Sequence, residues 1–188
     1  MFQVIRPYNI GTGRLRGAEF GYNQFFDFLP GWLKGFGVQA NYTYLDSDGG
    51  VNNTISNVLA TATVTGVDLP MVGISKHSYN FIAMYERGDW SARLAWNWRS
   101  RYLLATTDVS TNLPVWSDNY GELDGSVFYH INKNIQVGLQ MNNLNNAKVH
   151  TLMGPSVNAV DGKLNPTLYT RGWFVADRRY ELVFRAQF

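Results

Sequence analysis

The chain has 188 residues, a net charge of +2 and 45% hydrophobic content, enough for one domain with a sizeable core. Only 16% of its residues are charged, against about 25% in a typical globular domain, while aromatics reach 15% as 11 Tyr, 11 Phe and 6 Trp. The lack of cysteine excludes a disulfide scaffold and a Cys-ligated zinc site, no basic cluster interleaved with aromatics marks a nucleic-acid groove, and no apolar run reaches the ~18 residues of a transmembrane helix.

Residues 1–6 read as the tail of a strand. The stretch Met1 to Pro7 lacks the basic and apolar regions of a secretory signal, so an exported chain has either lost its signal or starts upstream, the latter being favoured. Gly11-Thr12-Gly13 has neither the Lys nor the following helix of a phosphate loop and reads as a loop tip. The first full strand is predicted at about Leu15 to Phe26, although Arg16 and Gln24 fall on its apolar side.

Period-two alternation, the mark of a strand with two unlike faces, then recurs. Phe36, Val38, Ala40, Tyr42 and Tyr44 alternate with Gly37, Gln39, Asn41, Thr43 and Leu45, and Tyr79, Phe81, Ala83 and Tyr85 with Asn80, Ile82, Met84 and Glu86. From Trp90 to Tyr102 the tryptophans at 90, 96 and 98 share one face and Arg93, Arg99 and Arg101 the other. Leu123, Gly125, Val127, Tyr129 and Ile131 alternate with Glu122, Asp124, Ser126, Phe128 and His130, and Ile135, Val137, Leu139 and Met141 with Gln136, Gly138, Gln140 and Asn142. The last strand sets Tyr180, Leu182, Phe184, Ala186 and Phe188 against Arg179, Glu181, Val183, Arg185 and Gln187.

Short connections (29–34, 87–89, 132–134) alternate strictly with long polar ones (47–75, 105–119, 145–177). Tight turns at one end and large loops at the other are the pattern of an outer-membrane barrel, short turns being periplasmic. Charge placement orients the faces: an arginine facing lipid at mid-bilayer costs roughly 2–4 kcal/mol, so the tryptophan face is assigned to lipid and the arginine face to the wet lumen. The competing soluble reading is a β-sandwich with one buried and one wet face. The fold class expected is therefore all-β, an antiparallel transmembrane β-barrel, with seven clear strands and part of an eighth.

The segments Gly17-Ala18-Glu19-Phe20-Gly21-Tyr22, Phe25-Phe26-Asp27-Phe28-Leu29-Pro30 and Gly35 to Tyr44, followed in order by Tyr85-Glu86, Ser91-Ala92-Arg93 with Arg99-Ser100, Asn142-Asn143-Leu144-Asn145-Asn146 and Arg178-Arg179-Tyr180 before Glu181-Leu182-Val183-Phe184, resemble the late barrel strands of TonB-dependent receptors. The likeness is to the group found in Caulobacter-like and Xanthomonas-like bacteria and runs from about residue 7 to 188; Asp177 stands where that group often has Gly. It implies that residues 1–188 are the C-terminal portion of a 22-stranded barrel in a Gram-negative outer membrane, with the plug domain and TonB box absent from this chain. The implied partners are outer-membrane lipid, the rest of the barrel with its plug, the TonB complex through the missing N-terminal part, the barrel-assembly machinery and a small nutrient ligand. The implied function is energy-coupled nutrient uptake, with carbohydrate favoured over siderophore. A passive porin or small complete eight-stranded barrel is the alternative, and closure of the first strand onto the last would favour it.

No enzyme is expected. His77, His130 and His150 lack ligand spacing for a metal, Ser126 and His130 share a face without a nucleophile elbow, Arg87-Gly88-Asp89 reads as a turn, and no cofactor motif is present. Ligand contact is expected from inward polar residues near the outer mouth. Arg99 and Arg101 stand there, with Glu122 and Asp124 across from the arginine ladder on the next strand, because same-face neighbours on adjacent strands lie within salt-bridge reach. Trp116 is a loop aromatic placed to stack on a sugar ring, as are Tyr120 and Trp173. Tyr180, Leu182, Phe184 and Phe188 look like the terminal-strand signal that the barrel-assembly machinery reads.

Overall fold

Alternating sequences bury or solvate a whole strand face at once, so strands of matching phase assemble into a sheet whose two surfaces differ. The computed structural model describes residues 12–49 and 53–187. In chain order its strands are β1 (Arg14–Phe25), β2 (Phe36–Asp48), β3 (Asn53–Ser56), β4 (Thr63–Val67), β5 (His77–Arg87), β6 (Trp90–Arg99), β7 (Tyr102–Ala105), β8 (Val115–Ser117), β9 (Tyr120–His130), β10 (Ile135–Asn142), β11 (Lys148–Met153), β12 (Ser156–Val157), β13 (Leu164–Asn165), β14 (Tyr169–Val175) and β15 (Arg179–Ala186), with one 3-10 turn at Gly31–Gly35.

Seven of these form one antiparallel sheet in the order β1-β2-β5-β6-β9-β10-β15, as the alternation predicts. Among the described residues β1 pairs only with β2 and β15 only with β10, so the sheet is an open wall. Residues 1–6 and Phe188 lie outside the described residues. The short turns fall where expected: Gly88, with φ 58°, lets two residues join β5 to β6, a tight reversal that an L side chain resists.

The register keeps the phase intact from edge to edge. Trp96 lies between Phe81 and Leu123, Trp90 between Arg87 and Tyr129, and Leu94 between Ala83 and Gly125. One surface therefore carries most of the apolar residues of all seven strands. Along β2 the order is Phe36, Val38, Ala40, Tyr42, Tyr44; along β6 it is Trp90, Ala92, Leu94, Trp96, Trp98. Aromatics stand at strand ends with small or aliphatic residues between, and they meet in pairs: Trp90 with Tyr129 at 4.8 Å and Phe36 with Tyr85 at 4.9 Å near the short turns, Tyr79 with Trp98 at 5.0 Å near the long connections. This is the banded surface that a bilayer's apolar core and two interfaces require. Leu182 on β15 is 91% exposed, a state that water penalises and hydrocarbon does not.

The opposite surface is polar but has two covered glycines. A Cβ at Gly138 would lie 2.1 Å from the Phe128 ring, and one at Gly37 would lie 2.8 Å from the Phe25 ring. Each ring lies over the backbone of the neighbouring strand, a packing that rescues an otherwise bare glycine. Gly138→Val should displace Phe128 from beneath Arg185, whose guanidinium carbon is 5.0 Å from the ring, and cost about 1–3 kcal/mol. Urea unfolding of the membrane-inserted protein reads this, and an unchanged midpoint would show that the ring is not a packing element.

The long connections differ from the polar loops expected of them: they hold eight short strands. Four of these form a second sheet in the order β7-β8-β11-β14. That order repeats β6-β9-β10-β15, because each wall strand breaks and resumes above the wall beside the continuation of the same neighbour. The predicted strand Trp90 to Tyr102 is thus two strands. It ends at Arg99, where the Ser100 N–H donates to His77 O at 2.8 Å and the Arg101 N–H turns to Asn119 Oδ1 at 2.9 Å. The connections also share a small core of Ile55, Leu69, Leu103 and Val157, one or more residues from each, so they fold on one another.

Candidate functional site

The polar surface places amides and hydroxyls in register across four strands. Asn41 faces Asn80, Asn80 faces Asn97, and Asn97 faces Glu122. One residue pair higher, Thr43, Ser78, Arg99 and Tyr120 are aligned in the same way. Above them the chain at Gly73–Ser75 returns toward the wall, enclosing a cleft of about 360 Å³ lined by Ser75, Ser78, Asn80, Asn97, Arg99 and Tyr120 among others. This is the long-connection end of the sheet.

Arg99 is fixed rather than free. Its Nε donates to Ser75 Oγ at 2.9 Å, its Nη2 to Gly73 O at 3.1 Å, and its guanidinium carbon stacks 3.7 Å from the Tyr102 ring centroid. The expected ladder of Arg93, Arg99 and Arg101 against Glu122 and Asp124 does not form. Arg99 faces Tyr120 and Arg93 faces Ser126, while Glu122 accepts a hydrogen bond from the Tyr120 hydroxyl and Asp124 accepts the Asn143 N–H at 2.9 Å. Arg93 and Asp124 instead border a lower cleft of about 300 Å³ that also holds Ser126, Gln140 and Glu181.

Arg101 lies beyond the strand break, outside the ladder. Its Nη2 pairs with Asp118 Oδ1 at 2.9 Å, and the other carboxylate oxygen lies 3.1 Å from His150 Nδ1. His150 in turn stacks on Trp173 at 3.9 Å and bonds Thr170 through Nε2 at 3.1 Å. This cluster spans the seam between wall and upper sheet. Burial pushes the Asp118 carboxyl up, but hydrogen bonds from Arg101, the Asn119 N–H and His150 outweigh it and hold the group below the usual aspartate range. Trp116 is likewise committed to packing: its indole N–H donates to Gly154 O at 2.6 Å and its ring lies against the loop core. Tyr120 opens β9 and Trp173 covers His150, so neither is a loop-tip aromatic.

The three histidines lie apart, His77 on Tyr42, His130 beside Gln136 and His150 on Asp118. Ser75, Asn80, Asn97 and Asp118 were not singled out from the sequence. The first three share the phase of Arg99 or its tether, a signal that period-two counting offers for Asn80 and Asn97; nothing local marks Ser75 or Asp118. The asparagine run acquires a reason. Asn143 and Asn146 adopt φ 54° and 53°, a left-handed conformation that Asn tolerates, and Asn143 Nδ2 donates to Ala176 O at 2.6 Å, tying the end of β10 to the residue that follows β14.

A sheet with one banded apolar surface, one polar surface with a cleft, tight turns at one end and folded connections at the other is the wall of a transmembrane β-barrel of outer-membrane type. Residues 3–144 match the family described as TonB dependent receptor-like, beta-barrel, and the chain belongs to that family. No curated protein and no solved structure matches it. Membership makes this the barrel of an outer-membrane receptor and transporter of the Gram-negative kind, and in outer-membrane barrels the short turns are periplasmic and the large connections extracellular.

Proposed function

We propose that residues 1–188 form the C-terminal portion of the barrel of an energy-coupled outer-membrane receptor whose nutrient is a carbohydrate rather than an iron chelate. The observation that carries the substrate class is the extracellular-side cleft, where Ser75, Ser78, Asn80, Asn97 and Tyr120 supply neutral hydroxyl and amide groups around one arginine. Such groups donate and accept in pairs, as a polyol requires. The fragment reading is supported by the two edges of the seven-stranded wall: a membrane barrel must close, since unpaired backbone groups are costly in lipid. On this reading a plug, a TonB-coupling segment and the remaining strands complete the receptor, which is of the Caulobacter and Xanthomonas type. Arg99, Glu122 and Asp124 stay candidate contacts, the first directly and the carboxylates from the wall beside it; Arg101 and Trp116 act by fixing the surrounding loops. Tyr180, Leu182 and Phe184, all on the lipid side of β15, serve with Phe188 as the assembly signal.

Calorimetry of the complete receptor with a panel of plain oligosaccharides and ferric hydroxamates tests the substrate class. An oligosaccharide should bind, and Asn97→Ala and Arg99→Ala should each weaken it by about ten-fold, or ~1.4 kcal/mol. Binding of the iron chelates alone, or equal affinity in both variants, would reject this assignment.

A further inference from the structure

On β1 the residues that share a phase with Phe20 and Tyr22 continue upward through Ala18 to Arg16 and Arg14, which places two guanidinium groups on the lipid side of the wall. Their partners across the ladder are Asp46 and Asp48. Lys76, just before β5, joins them, with Nζ 3.6 Å from Asp46 Oδ1 and 5.7 Å from the Tyr44 ring centroid. Arg16 stands four residues above Phe20, about 13 Å along the strand and roughly 9 Å in height at a ~45° tilt. That is the step from the apolar band into the headgroup layer.

Directly below, on the same surface, lies an apolar groove of about 570 Å³ lined by Phe20, Tyr22, Tyr42, Phe81 and Trp96 among others. Among the described residues of the patch, three cations stand with two carboxylates, an excess of one positive charge. The Lys76–Asp46 pair is 56% and 64% exposed, a geometry that contributes little and exchanges readily for a stronger anion. Arginine forks match phosphate oxygens in a bidentate manner. An anionic head above and acyl chains below describe one chemical object.

We propose that the extracellular end of β1, β2 and β5 is a specific site for one phosphate-bearing anionic lipid of the outer leaflet, with Arg14, Arg16 and Lys76 on its phosphate and the Phe20–Trp96 groove on its acyl chains. The inference rests on the lipid-side assignment of this surface and is independent of the nutrient carried.

Native mass spectrometry of the complete receptor in mild detergent, titrated with phosphatidylglycerol or phosphatidylcholine, tests it. Phosphatidylglycerol should be retained in preference, and excess inorganic phosphate, which lacks the chains, should not displace it. The triple variant Arg14→Gln, Arg16→Gln, Lys76→Gln should lose about ten-fold in retention, whereas Arg87→Gln, on the same surface at the periplasmic end, should not. Arg14→Lys with Arg16→Lys should stay within about three-fold, since charge is kept while the fork is lost. If the triple variant does not give the folded band on an unheated gel, Arg16→Gln alone, expected to lose about three-fold, decides. Equal retention of both lipids, an unaltered triple variant, or an equal loss in Arg87→Gln would overturn the proposal.

Discussion

Leu94→Arg should cripple assembly of the barrel, while Ala95→Arg, one residue along the same strand, should be tolerated. Leu94 sits at the middle of the apolar surface, flanked by Ala83 and Gly125, where a lipid-facing arginine costs roughly 2–4 kcal/mol, a large share of the 5–15 kcal/mol that holds a typical fold together. Ala95 points the other way, faces Asp124 across the ladder and shares a polar cleft with Arg93 and Glu181, so a new guanidinium there meets water and carboxylates. Trp96→Arg should lie between them, because Trp96 is nearer the upper aromatic end and an indole N–H 3.4 Å from the Tyr79 hydroxyl already marks a more polar level. The fraction of receptor that migrates as the folded species before heating, and its urea midpoint in liposomes, give the ranking. Equal tolerance at 94 and 95 would mean that the two surfaces do not separate lipid from water.

Asp118→Ala should loosen the extracellular sheet without unfolding the wall. The carboxylate receives Arg101 through Nε at 3.1 Å and Nη2 at 2.9 Å, His150 at 3.1 Å and the Asn119 N–H at 2.9 Å, and its side chain is 24% exposed. Hydrogen bonds to charged groups contribute about 1.5–3 kcal/mol each at most, and these share one acceptor group, so a local loss of about 2–3 kcal/mol is expected. Protease nicking between residues 102 and 175, and faster hydrogen exchange in β7, β8, β11 and β14, should report it while β6 and β9 stay protected. The pH dependence has a definite sign. The folded-state pKa of Asp118 lies below its value in an unfolded chain, so its contribution is complete above about pH 4 and fades as pH falls through the depressed value. Asp118→Asn should therefore flatten the rise in nicking that the unsubstituted receptor shows at acid pH. An acid response as steep in the asparagine variant would place the sensitive group elsewhere; Asp108, held down mainly by the Ser110 N–H and also by Arg171 2.8 Å away, is the next carboxylate to substitute.

Much of the wall was legible because its rule is local. Period two assigns each residue of a strand to a surface without knowledge of its neighbours, and the tryptophans of β6 and the leucines of β10 and β15 fall where counting puts them. Even the two residues that spoiled the phase of β1 keep it. Arg16 lies beyond the apolar band opposite Asp46, and Gln24 lies next to the short turn opposite Val38, so both interrupt the pattern only where the bilayer ends. The upper sheet was not legible in this way. Its strands run three to seven residues, too short for a period to emerge from background, and their polar character is that of loops.

The candidate site divides along the same line. Arg99, Glu122 and Asp124 were placed on the correct surface, since phase is enough for that. Their partners were not foreseen, because a ladder fixes only which residues face one another, whereas the side chains chose closer groups: Ser75 for Arg99, Tyr120 for Glu122, Asn143 for Asp124. Arg101 was misplaced by one break in the strand, a break set by Asn119 and Asp118 from nearly twenty positions away. The order of amino acids by itself determined the class of fold, the surface that meets lipid and the end that carries the large connections, for these follow from alternation and from the cost of a charge in hydrocarbon. Register, the folding of the connections into a second sheet and the partner of every ionic group were decided only by tertiary structure, because each depends on which distant residue comes within about 3 Å, a distance that no spacing along one chain encodes.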